Sequence, residues 1–190
     1  MSVTTHYGRV SEEQYTSMRN DPDGLAQFLT GVLPEDQLLY LDKASAVIAW
    51  LLSPLKRHEQ AHFAAVVRAD DIESFTPPDL GPEPPVDELL IPLEGRGAKD
   101  ENLDAGMGPA CVIDAKDVHR YALLLEEISE EKLREKLNFQ ELEEAALPID
   151  YWLEEGEEIF AGYIVPLFEQ LKTFYRVAAS NNQKVLVWYS

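Results

Sequence analysis

The chain has 190 residues, and its 35 acids against 16 Lys and Arg leave a formal net charge of −19 at pH 7. Nucleic-acid binders and proteins that dock on anionic membranes draw affinity from cations, so this charge argues against both partners. With 45% hydrophobic residues the composition is globular rather than that of a disordered acidic tail, and the length suits one domain over residues 1–190.

Residues 3–10 mix Val, Thr and Tyr and read as a strand. Ser11-Glu12-Glu13-Gln14 is a capping box that opens a helix, its two acids favoured near the helix N-terminus. Asn20-Asp21-Pro22-Asp23-Gly24 is turn chemistry. A short helix is expected over 25–32, and Pro34-Glu35-Asp36 starts another. Over 38–52, Leu41, Ser45, Ile48 and Leu52 share one face with Val47 and Leu51 beside it, which predicts a well-buried helix stopped by Ser53-Pro54.

Residues 70–109 hold seven of the twelve prolines and five of the ten glycines. This stretch reads as an acidic, Pro/Gly-rich loop inserted into the domain. Its apolar island, Leu89-Leu90-Ile91-Pro92-Leu93, would pin the loop to the body or form an edge strand.

A short strand is expected at 110–113, followed by Asp114 as N-cap of a helix over 115–128 with Val118, Tyr121, Ala122 and Leu125 as its apolar stripe. Ser129-Glu130-Glu131 begins the next helix, with Leu133 and Leu137 facing the core, and Phe139 and Leu142 continue into a further short turn. Pro148-Ile149-Asp150-Tyr151-Trp152 reads as an extended aromatic piece. Over 157–179, Phe160, Ile164, Phe168, Leu171, Tyr175 and Ala178 recur at helical spacing. Pro166 interrupts that helix, because its ring crowds the carbonyl of Gly162. Val185-Leu186-Val187-Trp188-Tyr189 is apolar on both alternating faces, as a central strand covered on both sides would be. The fold class is α+β: a helix-rich single domain with a small mixed sheet containing the N- and C-terminal strands.

Three segments together resemble the YfbM-like family, small bacterial α+β proteins of unknown function. They are Leu41-Asp42-Lys43 leading to Trp50-Leu51-Leu52-Ser53; Gly108-Pro109-Ala110 with the 114–125 helix and Pro148 to Trp152; and Phe168-Glu169-Gln170-Leu171-Lys172-Thr173-Phe174-Tyr175 with Ala178-Ala179 and the last strand. The chain departs from the family at Ser45, where a tryptophan is usual, and in its longer, more acidic proline-rich segment. The resemblance implies a fold and a cellular context, and it implies neither catalytic residues nor a cofactor.

The single cysteine, Cys111, permits no intramolecular disulfide. Residues 1–6 lack the basic and apolar regions of a signal peptide, and the apolar run at 44–52 falls short of the ~20 residues needed to span a bilayer. The expected location is cytoplasmic.

His58-Glu59-Gln60-Ala61-His62 fits the H-E-x-x-H pattern, in which two imidazoles on one helix face ligate zinc while the glutamate activates water. Lys56 and Arg57 precede it, and Arg68 stands where a third histidine would complete the metzincin spacing. A solvated helix end is therefore the expected state of these residues, with a metal-dependent hydrolase as the alternative. Cys111 and His119 sit eight positions apart, too loosely related to fix a thiolate–imidazole pair. Gly8 and the pair Gly95/Gly97 lack the frame of a phosphate loop.

Asp42 and Lys43, with Tyr7, Trp152 and Tyr175, form a polar-aromatic set suited to a small-molecule sensor pocket, weighed against a helix-end charge pair and three core aromatics. Between positions 126 and 158 stand thirteen acids and three bases, about half of the net charge. Glu130 and Arg134 pair along a helix, but Glu131 faces Glu135, and Glu154-Glu155 adjoins Glu157-Glu158. Such a run serves solubility or docks a basic protein. The leading expectation is a non-enzymatic, acidic, immunity- or adaptor-like module without a cofactor.

Overall fold

The computed structural model describes residues 4–21, 34–69, 76–104 and 107–189. The helix expected over 25–32 lies outside them.

Five strands, β1 (Thr5–Val10), β2 (Leu38–Tyr40), β3 (Lys99–Asp104), β4 (Pro109–Ile113) and β5 (Lys184–Tyr189), form one sheet in the order β2-β1-β5-β4-β3. Every neighbouring pair is antiparallel, which corrects the expected mixed sheet. The long helical stretch between β4 and β5 leaves and re-enters the sheet at the same end, so no parallel crossover arises. Thr5 opposite Tyr189 begins the β1–β5 ladder that joins the two termini.

β5 has the two-sided burial its sequence predicts. Alternate residues of a strand face opposite ways. Val185 and Val187 enter the main core with Tyr7, Cys111 and Ile113, whereas Leu186 and Trp188 join Val10, Leu103, Ala110 and Met18 on the other face. That second face is covered by α1 (Glu12–Asn20), which brings Tyr15 and Met18. Its N-terminus is closed by the capping box: the Gln14 amide donates to Ser11 Oγ at 3.1 Å and the Ser11 amide to Gln14 Oε1 at 2.8 Å.

The main core is built by α2 (Ala44–Leu52), α3 (Pro54–Val67), α4 (Leu90–Glu94), α5 (Ala115–Glu126), α6 (Glu130–Arg134), α7 (Phe139–Glu144), α8 (Trp152–Ile159) and α9 (Val165–Ser180). The predicted stripes of α5 and α9 are buried. A π-helical turn, Phe160–Ile164, joins α8 to α9, with the Val165 amide reaching back to the Phe160 carbonyl. The break expected from Pro166 takes this form. Pro166 lies in the first turn of α9, where its missing N–H is least disruptive, and the wide turn precedes it.

Three local expectations are corrected. Leu38-Leu39-Tyr40 is a strand paired with β1, and the left-handed Asp42 (φ 47°) separates it from α2. Within 70–109, where a loop is expected, the apolar island is the buried helix α4 and residues 99–104 are an edge strand. Trp152 starts α8 rather than ending an extended piece.

α4 shows why the island is helical. The last carbonyls of a helix lack internal partners. Here the Tyr175 hydroxyl donates to the Pro92 carbonyl (3.2 Å), Tyr7 to Leu93 (2.6 Å) and Tyr189 to Glu94. Three phenols from α9, β1 and β5 thus terminate one short helix inside the core. Removing one donor leaves a buried carbonyl unsatisfied. Tyr7→Phe should therefore lower stability by about 1–3 kcal/mol in urea denaturation, and wild-type stability would contradict this reading.

Candidate functional site

The Asp42–Lys43 turn borders a cleft of about 350 Å³ whose other walls are Pro148, Ile149, Asp150, Tyr151, Ile159 and Tyr163. Two lining residues, Asp42 (φ 47°) and Tyr151 (φ 68°), have left-handed backbones without being glycine. Such strain persists only where surrounding structure enforces it, and it gathers at functional sites. The π-turn places Tyr163 in the cleft, and its hydroxyl donates to Asp42 Oδ2 at 2.8 Å. Burial, and then the bond to the Asp42 carboxylate, push the Tyr163 phenol up to about 12. Tyr40 also reaches Asp42, at 3.3 Å. Asp42 is thus an oriented acceptor, and Lys43 supplies the one cation to a lining that also holds Asp150.

The other aromatics of the sequence-derived set lie apart from this cleft. Tyr7 and Tyr175 are fully buried around α4, and burial raises both phenols well above their ordinary range. Trp152 is buried with its ring stacked on Phe139, and its amide donates to Glu143 Oε2 at 2.8 Å. These three are core residues and none of them lines the cleft.

From Tyr151 the surface continues onto α8. Trp152, Gly156 and Ile159 turn inward, which leaves Glu154, Glu155, Glu157 and Glu158 exposed. Glu157 is taken by Arg134 at 2.7 Å, and Arg134 also holds Glu130 at 3.1 Å. Glu154, Glu155 and Glu158 have no ion-pair partner among the described residues. Tyr151 (64% exposed) and Leu153 (58%) stand among these carboxylates.

The H-E-x-x-H segment lies on α3 with the His58 and His62 rings 5.4 Å apart. Glu59 is committed elsewhere: both its oxygens accept from Arg96, at 2.5 and 2.6 Å. Those hydrogen bonds hold its carboxyl below the ordinary glutamate range, which weakens it as a base. Arg96 also binds Glu94 (2.7 Å), which binds Lys56 (2.5 Å), so the motif's glutamate ends a structural ion-pair chain. No group of three or more His, Cys, Asp or Glu able to hold a metal ion occurs among the described residues. Cys111 is fully buried, its thiol pushed up by burial, and His119 is exposed on α5. No helix among the described residues is long and apolar enough to cross a membrane.

A family model described as a domain of unknown function (DUF1877) matches residues 1–188. The chain belongs to this DUF1877 family. Its fold is similar to that of YfbM from Escherichia coli, a protein of unknown function, with a TM-score of 0.59 at 16% identity over 98% of this chain and 99% of that one. At this identity the likeness concerns the fold. No curated protein matches the chain.

Within this DUF1877 domain, the sequence reading selected Asp42 and Lys43 but passed over Tyr163 and Ile159, the far wall of the same cleft. They lie more than a hundred positions away, each one position before a member of the apolar stripe, Phe160 and Ile164. The available signal was the Gly162-Tyr163 step just ahead of Pro166, where a helix under steric pressure widens.

Proposed function

We propose that the protein is a non-enzymatic binding module that captures a basic protein partner, with the Asp42–Tyr163 cleft seating a Lys or Arg side chain of that partner. The observation that carries this reading is the continuity of the cleft with the exposed arc of α8, through Tyr151. One surface then offers an oriented Asp42, Asp150, the unpaired Glu154, Glu155 and Glu158, and the exposed Tyr151 and Leu153. Protein interfaces concentrate their energy in aromatic anchors, and complementary charge at the rim sets partner choice and association rate. The net charge of −19 steers cations toward the whole molecule, and the unpaired carboxylates focus them here. A cytoplasmic setting belongs to the same proposal, supported by the single buried cysteine.

The sensor reading uses the same cleft for a free ligand, but Tyr151 and Leu153 would then have no reason to stand exposed beside it. The hydrolase reading requires Glu59 to leave two short bonds to Arg96.

The test is affinity capture followed by identification of the retained proteins. Wild type should retain a partner of high isoelectric point, with retention weakening as salt rises. The triple reversal E154K/E155K/E158K should abolish that retention, and Tyr151→Ser should weaken it by about 30-fold, the effect of a 2 kcal/mol anchor. Equal retention by wild type and triple variant would sink the proposal.

A further inference from the structure

A second cleft, lined by other residues, carries a different chemistry. Its volume is about 360 Å³, near the lower end of small-molecule sites, and its apolar walls are Leu39, Pro166, Phe174 and Val177. Arg9, on the interior strand β1, also lines it and is only 6% exposed, and the exposed Glu169, paired with Lys172 at 2.9 Å, belongs to the same lining. The guanidinium lies over the Phe174 ring, 5.3 Å from its centre. Its Nη2 donates to the Asp36 carbonyl and meets Asp36 Oδ2 at 3.4 Å. Its Nε is buried and has no hydrogen-bond partner among the described residues.

A buried charge is costly unless it is paired and its donors are satisfied. Asp36 does this poorly: its side chain is 78% exposed and the contact is long, so the pair is worth little. Burial pushes the guanidinium below its ordinary value and Asp36 only partly opposes that shift. The side chain is a planar fork of donors, half used, at the foot of an apolar cleft.

We propose that this cleft binds a small carboxylate with an apolar body, the carboxylate displacing Asp36 from the Arg9 fork and the body lying along Leu39, Pro166, Phe174 and Val177. A carboxylate matches the guanidinium bidentately, whereas inorganic phosphate would leave those walls unused. The Asp36 carboxylate is the internal stand-in, close enough to shield the cation and exposed enough to leave, while the Asp36 carbonyl keeps its bond from Nη2. Thr173 and Gln170 stand at the rim and offer hydrogen bonds to a second polar group. This inference is independent of the basic-partner reading, because it uses a different cleft and rests on the buried Arg9 cation rather than on exposed carboxylates.

The experiment is calorimetric and thermal-shift titration of the full chain with hexanoate, against hexan-1-ol and inorganic phosphate. Hexanoate should bind with a Kd of about 1 mM or tighter, as its size allows. Asp36→Asn, at an exposed position, should tighten binding several-fold by removing the competing carboxylate. Thr173→Trp, also exposed, should weaken it at least about tenfold by filling the mouth. Arg57→Gln should leave it unchanged, which separates this site from the cleft where Arg57 lies over Trp50. Absence of hexanoate binding to the Asp36→Asn protein up to about 20 mM overturns the proposal. So does equal binding of hexan-1-ol or phosphate, or indifference to Thr173→Trp.

Discussion

Replacing Glu94 with alanine is expected to lower folding stability by about 3–5 kcal/mol, whereas Glu59→Ala should cost at most about 1 kcal/mol. Both carboxylates bind Arg96, at 2.7 Å and 2.5 Å, so a comparison of bond lengths would predict similar effects. Their surroundings differ. The Glu94 side chain is 7% exposed and joins Arg96 to Lys56, itself only 17% exposed, while Glu59 is 38% exposed. Truncating Glu94 strands the Lys56 ammonium against the core, and uncompensated buried charge is the costly outcome. Truncating Glu59 frees Arg96 to water and leaves its bonds to Glu94 in place. The double change K56M/E94L should recover part of the loss, since replacing both partners of a buried pair by apolar groups is often near neutral. Urea denaturation of the three variants is the measurement. A Glu94→Ala protein within about 1 kcal/mol of wild type would show that the buried carboxylate is adequately replaced by water.

The same ion-pair chain explains how far the H-E-x-x-H motif could be read. Spacing alone places His58 and His62 on one face of α3, and the structure does so. The fate of Glu59 depends on Arg96, thirty-seven positions away within the proline-rich stretch, and no local pattern announces that contact. The legible elements are those whose information is local. The Ser11 capping box, the stripes of α5 and α9 and the two-faced β5 each follow from a period or a cap.

The elements that escaped are those fixed from outside. Leu38-Leu39-Tyr40 suits a helix or a strand, and pairing with β1 decides it. Lys99–Asp104 is mostly charged, with only Asp100 and Leu103 buried, as befits an edge strand that discourages further pairing. α4 is helical because three distant tyrosines receive its carbonyls. The cleft was half legible for the same reason: Asp42 and Lys43 are neighbours in sequence, but Tyr163 reaches them only when the π-turn folds back.

Gly95→Ala should cost about 2–5 kcal/mol, against about 1–2 kcal/mol for Gly81→Ala. Both glycines have positive φ, 58° and 75°, so an alanine at either pays the left-handed penalty of about 1–2 kcal/mol. Gly81 has nothing within 4 Å of an added Cβ. At Gly95 that atom would lie 3.0 Å from Cβ and Cγ1 of Val187 and 3.2 Å from Cβ of Cys111. Val187 and Cys111 are paired on β5 and β4 in the middle of the sheet and are fully buried, so neither can yield without moving a strand. That contact adds the overpacking cost of about 1–3 kcal/mol. Relaxation by shifting α4 is blocked as well, because Tyr7, Tyr175 and Tyr189 hold its last carbonyls from three directions. The blockage can be measured: in a Tyr189→Phe background one tether is gone, and Gly95→Ala should then cost less than it does in the wild type. Equal costs in the two backgrounds would mean that the strain is absorbed in the sheet, with the phenol cap of Glu94 playing no part in holding α4 against it.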